Sequence, residues 1–103
     1  MNEDGVIRKL QSVGKAVFVE YFCAFEDYAA GKMTRQACID LLVRAAVSND
    51  AGAAIRCGNA KALFDANRAI DALTIVAESE RVPLPLVQSA RKLIELRTMG
   101  RAS

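Results

Sequence analysis

The chain has no histidine, no tryptophan and only two prolines, and each of these absences restricts what it can be. Without histidine it lacks the usual general base at neutral pH, the Ser-His and Cys-His nucleophile pairs, and the ligand of most zinc and haem sites. Aromatic residues make up 6% of the sequence, whereas alanine and leucine are common, and this balance favours helices over sheets. We therefore expect an all-α, non-enzymatic protein.

The cysteines also argue against a chemical site. Cys23, Cys38 and Cys57 are far apart in sequence and form no CxxC pair, so we expect reduced core residues of a cytoplasmic protein. No Gly-rich phosphate loop is present, and we expect no cofactor, metal ion or small-molecule substrate. Residues 1–5 do not resemble a signal peptide, and no stretch approaches the roughly 18 apolar residues of a membrane span.

The length of 103 residues allows one hydrophobic core, and 52% hydrophobic with 25% charged residues is typical of a globular chain. We expect a single domain over residues 1–103 with a frayed tail from about residue 99. Within it, we expect a small bundle of about five helices.

The bundle is expected to surround a central helix over residues 59–78, because this stretch carries apolar side chains on two faces. One face holds a continuous stripe: Leu63, Ala66, Ile70, Leu73 and Ala77. Phe64 and Ile75 fall on the other. Adjacent Gly58 and Asn59 favour a helix start at Asn59, after a short helix over residues 51–57. The alternative is one helix over residues 51–78 that runs through Gly58.

The aromatic residues indicate a main wall of the core. Five of the six aromatic rings lie in residues 15–30, which we expect to be helical. Gly31 follows this stretch and predicts that the helix ends there with a left-handed residue. Before this wall, Asp4 is expected to cap a first helix, and the sequence leaves open whether that helix continues through Gly14.

Two further helices follow from local signals. Thr34 is a good N-cap for a helix over residues 35–47. The prolines lie within residues 82–85, a stiff connector in which Pro85 is placed to occupy the first turn of the last helix.

We expect a binding or regulatory protein that makes helix–helix contacts with a protein partner or with itself, as a homodimer. The candidate interface residues lie on the second face of the central helix: Phe64, Arg68, Asp71 and Ile75. Arg68 and Asp71 are spaced for an ion pair within one helix. The alternative is that the bundle covers this helix on both sides.

DNA binding is the alternative function, because residues 35–61 have about the lengths of a helix-turn-helix. Residues 81–103 carry a basic surplus, with five Lys or Arg residues against Glu95 alone. The candidate contacts combine polar residues of the 35–61 segment with two cations of this surplus: Asn49, Arg56, Asn59, Lys61, Arg91 and Lys92. Residues 51–54 of the second helix are small and offer no bidentate hydrogen bonds to bases. DNA binding gains support if the C-terminal cations (Arg91, Lys92, Arg97 and Arg101) share a face with Arg56 and Lys61. A protein partner gains support if these two groups point apart.

Overall fold

The computed structural model describes residues 1–99, which form seven α-helices and no strand. The helices are α1 (Glu3–Val13), α2 (Lys15–Glu20), α3 (Phe22–Ala29), α4 (Arg35–Arg44), α5 (Asp50–Asp65), α6 (Ala69–Ala77) and α7 (Leu84–Met99). The predicted all-α fold is confirmed. None of the described helices is long and apolar enough to cross a membrane. Beyond Met99, which ends α7, the predicted frayed tail lies outside the described residues.

The predicted central helix over residues 59–78 is wrong, and so is the estimate of about five helices around it. The chain forms two helices here, because α5 ends at Asp65 and α6 begins at Ala69. The predicted break at Gly58 and Asn59 is absent, since α5 begins at Asp50 and runs through both residues. The alternative of one continuous helix is correct at Gly58 but fails at residues 66–68.

Burial explains why α5 continues through Gly58. Its inner face is formed by buried side chains: Ala53, Cys57, Ala60 and Leu63. A glycine within a helix costs about 1 kcal/mol relative to alanine, which packing of such a face can offset. Asn59 is accommodated because its amide donates to the Ile55 carbonyl at 2.9 Å and its oxygen accepts from Lys9 Nζ at 3.5 Å.

The chain instead turns at Asn67, which has a left-handed φ of 58°. The N–H of Asn67 donates to the Phe64 carbonyl at 2.9 Å, and the N–H of Arg68 donates to the Leu63 carbonyl at 2.8 Å. These two bonds satisfy two of the last four carbonyls of α5, and asparagine is one of the few side chains that tolerates this conformation. The turn separates Phe64 from the residues of α6.

Two other left-handed residues end helices. Gly31 (φ 79°) lies directly after the α3 region, as predicted. Ala46 (φ 58°) follows α4, which therefore ends at Arg44 and not at residue 47. The predicted cap at Thr34 is confirmed, because its hydroxyl accepts the N–H of Ala37 at 3.1 Å.

The N-terminal segment divides into short helices. Asn2, and not Asp4, caps α1, since its side-chain oxygen accepts the N–H of Gly5 at 2.8 Å. Gly14 has a φ of 92° and separates α1 from α2, which settles the question of continuity. Tyr21 then separates α2 from α3 within the predicted aromatic wall.

The helices pack in two groups around one core. On one side, α5 packs against α1, α3 and α4, and on the other side α7 packs against α6 and α2. The largest fully buried side chains are Phe18, Phe22 and Phe25. The expected role of the aromatic segment as a main wall is thus confirmed, and Pro85 lies in the first turn of α7 as predicted.

The left-handed positions predict stability changes of opposite sign. We expect Ala46→Gly to raise the free energy of unfolding by about 1 kcal/mol, because glycine relieves the left-handed strain of a Cβ. Gly31→Ala should lower it by about as much, since a Cβ there meets no atom within 4 Å and only the φ penalty acts. Urea denaturation of both variants measures the effect. Equal signs for the two substitutions would contradict this account.

Candidate interaction surface

Phe64, the first predicted interface residue, belongs to the edge of the aromatic core. Its ring centroid lies 5.0 Å from that of Phe22 and 6.1 Å from that of Phe18, and its side chain is half-buried. Phe18 and Phe22 meet edge to face, with centroids 5.5 Å apart. Phe64 therefore joins α5 to α2 and α3 through contacts of the kind that stabilise a core.

A small depression of about 110 Å³ lies beside Phe64. Arg97 lines it and forms a bidentate ion pair, in which Nε and Nη2 each donate to a Glu26 carboxylate oxygen at 2.8 Å. The hydrogen bond to Glu26 also raises the pKa of Arg97, and its guanidinium lies 5.5 Å from the Phe22 ring. The charged groups of this depression are therefore paired with each other.

The other predicted interface residues lie together in a different place. Arg68, Asp71 and Ile75 line a second depression, whose remaining lining residues are Glu3, Thr74 and Glu78. Arg68 Nε donates to the Asp71 carboxylate, as its spacing predicts, and the same guanidinium donates to the Met1 carbonyl. The turn at Asn67 thus divides the four predicted residues between two surfaces.

The predicted nucleic-acid contacts on α5 have partners within the chain. Asn49 is the N-cap of α5 and accepts the N–H of Gly52 at 2.8 Å. Arg56 Nη1 donates to the Val13 carbonyl, where α1 ends. Asn59 is bonded to Ile55 and Lys9, as described above.

Lys61 also has a local partner, because its Nζ lies 2.6 Å from Asp65 Oδ2. This hydrogen bond raises the pKa of Lys61. The same ammonium is 6.0 Å from the centroid of the Tyr28 ring. Its position is therefore set by contacts that the helical bundle itself provides.

The remaining two candidates lie on α7. Arg91 lines an open groove together with Glu78 and Glu80, and Lys92 is exposed. Because α7 packs on α6 and α2, these cations belong to the other group of helices from Arg56 and Lys61 on α5. Arg101, the last cation of the basic surplus, lies outside the described residues.

The α4–α5 hairpin has the order of a helix-turn-helix, with residues 45–49 as the connection and the two helices packed together. Its second helix begins with Asp50, which places an anion where DNA-binding units present groups to bases and phosphates. Ala51 and Gly52 follow and provide no side-chain hydrogen bond.

Sequence reasoning missed one surface, which we call the outer face of α5. It consists of four uncharged residues at helical spacing: Ala51, Ile55, Gly58 and Ala62. The Ile55 side chain is 58% exposed, and a Cβ on Gly58 would meet no atom within 4 Å. The spacing of four, three and four residues was the available signal. It was lost because the predicted break at Gly58 placed these residues on two helices.

Comparison of the chain with known proteins gives no match. No protein family matches the chain, and no similar curated protein or solved structure was found. Within residues 1–99, no group of three or more His, Cys, Asp or Glu side chains is placed to hold a metal ion. The surface itself is therefore the basis of the functional proposal.

The contacts of Phe64 predict a core role for this residue. We expect Phe64→Ala to lower the free energy of unfolding by about 2–3 kcal/mol, somewhat less than for a fully buried phenylalanine, because contacts with Phe18 and Phe22 are lost. Ile75→Ala, on the other depression, serves as the comparison and should cost less. Thermal unfolding measures both. An unchanged stability of the Phe64 variant, with loss of assembly, would instead identify a contact surface.

Proposed function

We propose that this protein is a non-enzymatic binding protein that acts through helix–helix contacts, with a second copy of itself as partner. The outer face of α5 is the contact surface. The observation that carries the proposal is Ile55, a large apolar side chain that is 58% exposed in the middle of an uncharged helix face. Burial of such a side chain on association is favourable by roughly 25 cal/mol for each Å² removed from water.

The spacing of the outer face suits a helical partner. Residues 51, 55, 58 and 62 lie on successive turns of one side of α5, so they form a continuous stripe. Three of the four have no side chain beyond Cβ, which allows the axis of a second helix to approach closely at this stripe.

The stripe is also self-complementary, as a twofold interface requires. An antiparallel pair of α5 helices with its axis between residues 56 and 57 places Ile55 opposite Gly58 of the second copy. The same axis places Ala51 opposite Ala62 of the second copy. The one large side chain of each copy therefore faces the position that has no side chain.

The size of the surface limits the affinity. A stable interface buries about 800 Å² on each partner, and one helix face provides less. We therefore propose an association that depends on concentration in the micromolar range or above. Lys61 and Asp65, which lie towards the C-terminal end of α5, already pair with each other and do not require a charge on the partner.

DNA binding is the second proposal, because the α4–α5 hairpin has the order of a helix-turn-helix. It has less support than self-association, since Asp50 occupies the first turn of α5 and Asn49, Arg56, Asn59 and Lys61 have partners in the chain. It requires a retarded band with mixed duplex DNA at low salt and a steep loss of affinity as salt increases. Absence of a shift removes this alternative.

The exposure of Ile55 gives a direct test of self-association. We expect Ile55→Lys to give a monomer in light scattering at protein concentrations at which the wild type associates, because a charge then lies in the centre of the stripe. The matched control is Leu96→Lys on α7, a site that is 53% exposed and should retain association. A monomeric wild type up to millimolar concentration, or equal effects of both substitutions, would contradict the proposal.

Gly58 provides a second test, in which folding and association respond in opposite directions. We expect Gly58→Ala to stabilise the monomer by about 0.5–1 kcal/mol, because alanine is the better helix former and its Cβ meets no atom within 4 Å. It should weaken association, because the methyl group separates the paired helices. Denaturation of dilute protein and sedimentation of concentrated protein measure the two effects. Unchanged association would place the contact elsewhere.

A further inference from the structure

Two buried thiols meet where α4 packs on α5. The Sγ atoms of Cys38 and Cys57 are 3.0 Å apart, and both side chains are fully buried. This distance is about 1 Å longer than the bond in a disulfide. The two residues lie 19 positions apart in sequence, so the contact is created by the fold and is not predicted by any local motif.

The third cysteine is separate from this pair. Cys23 is exposed on α3, and its Sγ lies 3.7 Å from Arg97 Nη2. The expectation that all three cysteines are core residues is therefore correct for Cys38 and Cys57 and wrong for Cys23. Among the described residues, Cys38 and Cys57 form the only contact between two thiols.

We propose that Cys38 and Cys57 are an oxidative modification site, at which a small hydroperoxide such as hydrogen peroxide forms an intramolecular disulfide between α4 and α5. The proposal rests on the contact of the two sulfurs and does not depend on the proposed function. The product joins the two helices of the hairpin on their inner sides, whereas the outer face of α5 stays free.

The reaction balances in two steps. A thiolate of the pair attacks one peroxide oxygen, the O–O bond breaks, and a sulfenic acid and one water are formed once the leaving hydroxide takes up the thiol's proton. The second thiol then attacks the sulfenic sulfur, the S–O bond breaks and the S–S bond forms, with release of a second water. The two thiols lose two electrons in total, and the peroxide is reduced to two molecules of water.

The contact between the two thiols shifts their pKa values in opposite directions. The hydrogen bond with Cys38 lowers the pKa of Cys57, assisted by the charge of Arg35 and opposed by burial. The hydrogen bond with Cys57, together with burial, raises the pKa of Cys38. One thiol of the pair attacks as the thiolate, and the other resolves the sulfenic acid.

The burial of Cys38 and Cys57 restricts which oxidants can reach them. Because neither thiol has exposed surface, only an oxidant of nearly the size of water can reach the pair through small fluctuations of the core. A bulky disulfide such as oxidised glutathione requires much larger opening. Hydrogen peroxide should therefore react with the buried pair and oxidised glutathione should not, whereas both reagents reach exposed Cys23.

The experiment uses the full chain with Cys23→Ser, which removes the exposed thiol and leaves the pair intact. We expect hydrogen peroxide to consume both remaining thiols and to yield a peptide that links Cys38 to Cys57 in mass spectrometry without reductant. The oxidised protein should unfold at a temperature higher by about 15 °C, because the bond closes a loop of about 20 residues in the unfolded chain. Oxidised glutathione should give no linked peptide under native conditions.

Cys38→Ala in the same background is the matched control, and circular dichroism checks that it remains helical. It should yield no linked peptide and should leave Cys57 unreacted or as a sulfenic or sulfinic acid. Two free thiols that persist in the Cys23→Ser protein, while Cys23 of the wild type is fully oxidised, would overturn the proposal. Disulfides formed only between chains would overturn it as well.

Discussion

The contact of Phe64 with Phe18 and Phe22 is the interaction on which the arrangement of the bundle depends. It joins α5 to α2 and α3 within the aromatic core. The chain turns at Asn67, only three residues after this contact, and α6 begins at Ala69. Because α7 packs mainly on α6, the position of α6 in turn determines that of the last helix.

The sequence predicts a helix end correctly where the side chain at that end itself determines the backbone conformation. The hydroxyl of Thr34 and the missing Cβ of Gly31 each specify one conformation, and both predictions are confirmed. Ala46 carries no such signal, because alanine adopts a left-handed φ only when packing on both sides requires it. Asn67 carries a weak one, which the helical periodicity of its neighbours concealed.

The candidate site was predicted less well, for a physical reason. The two-faced periodicity of residues 59–78 is real in sequence, yet one left-handed residue divides it between two helices. Gly58 predicts a helix break because glycine disfavours a helix by about 1 kcal/mol relative to alanine. The burial of Cys57 and Leu63 on either side of it stabilises α5 by more than this cost, so the helix continues. The contact of Cys38 with Cys57 depends on how α4 crosses α5, which local sequence does not specify.

Small residues occupy two sides of α5, and only one side is explained by the fold. On the inner face, Ala53 and Ala60 are fully buried where other helices pack closely on α5. On the outer face, Gly58 has open space in the direction of a Cβ, so no neighbour within the chain requires a glycine there. Folding alone would favour alanine at this position. The proposed close approach of a second helix would give Gly58 a physical reason, and it would give exposed Ile55 the apolar contact that the monomer does not supply.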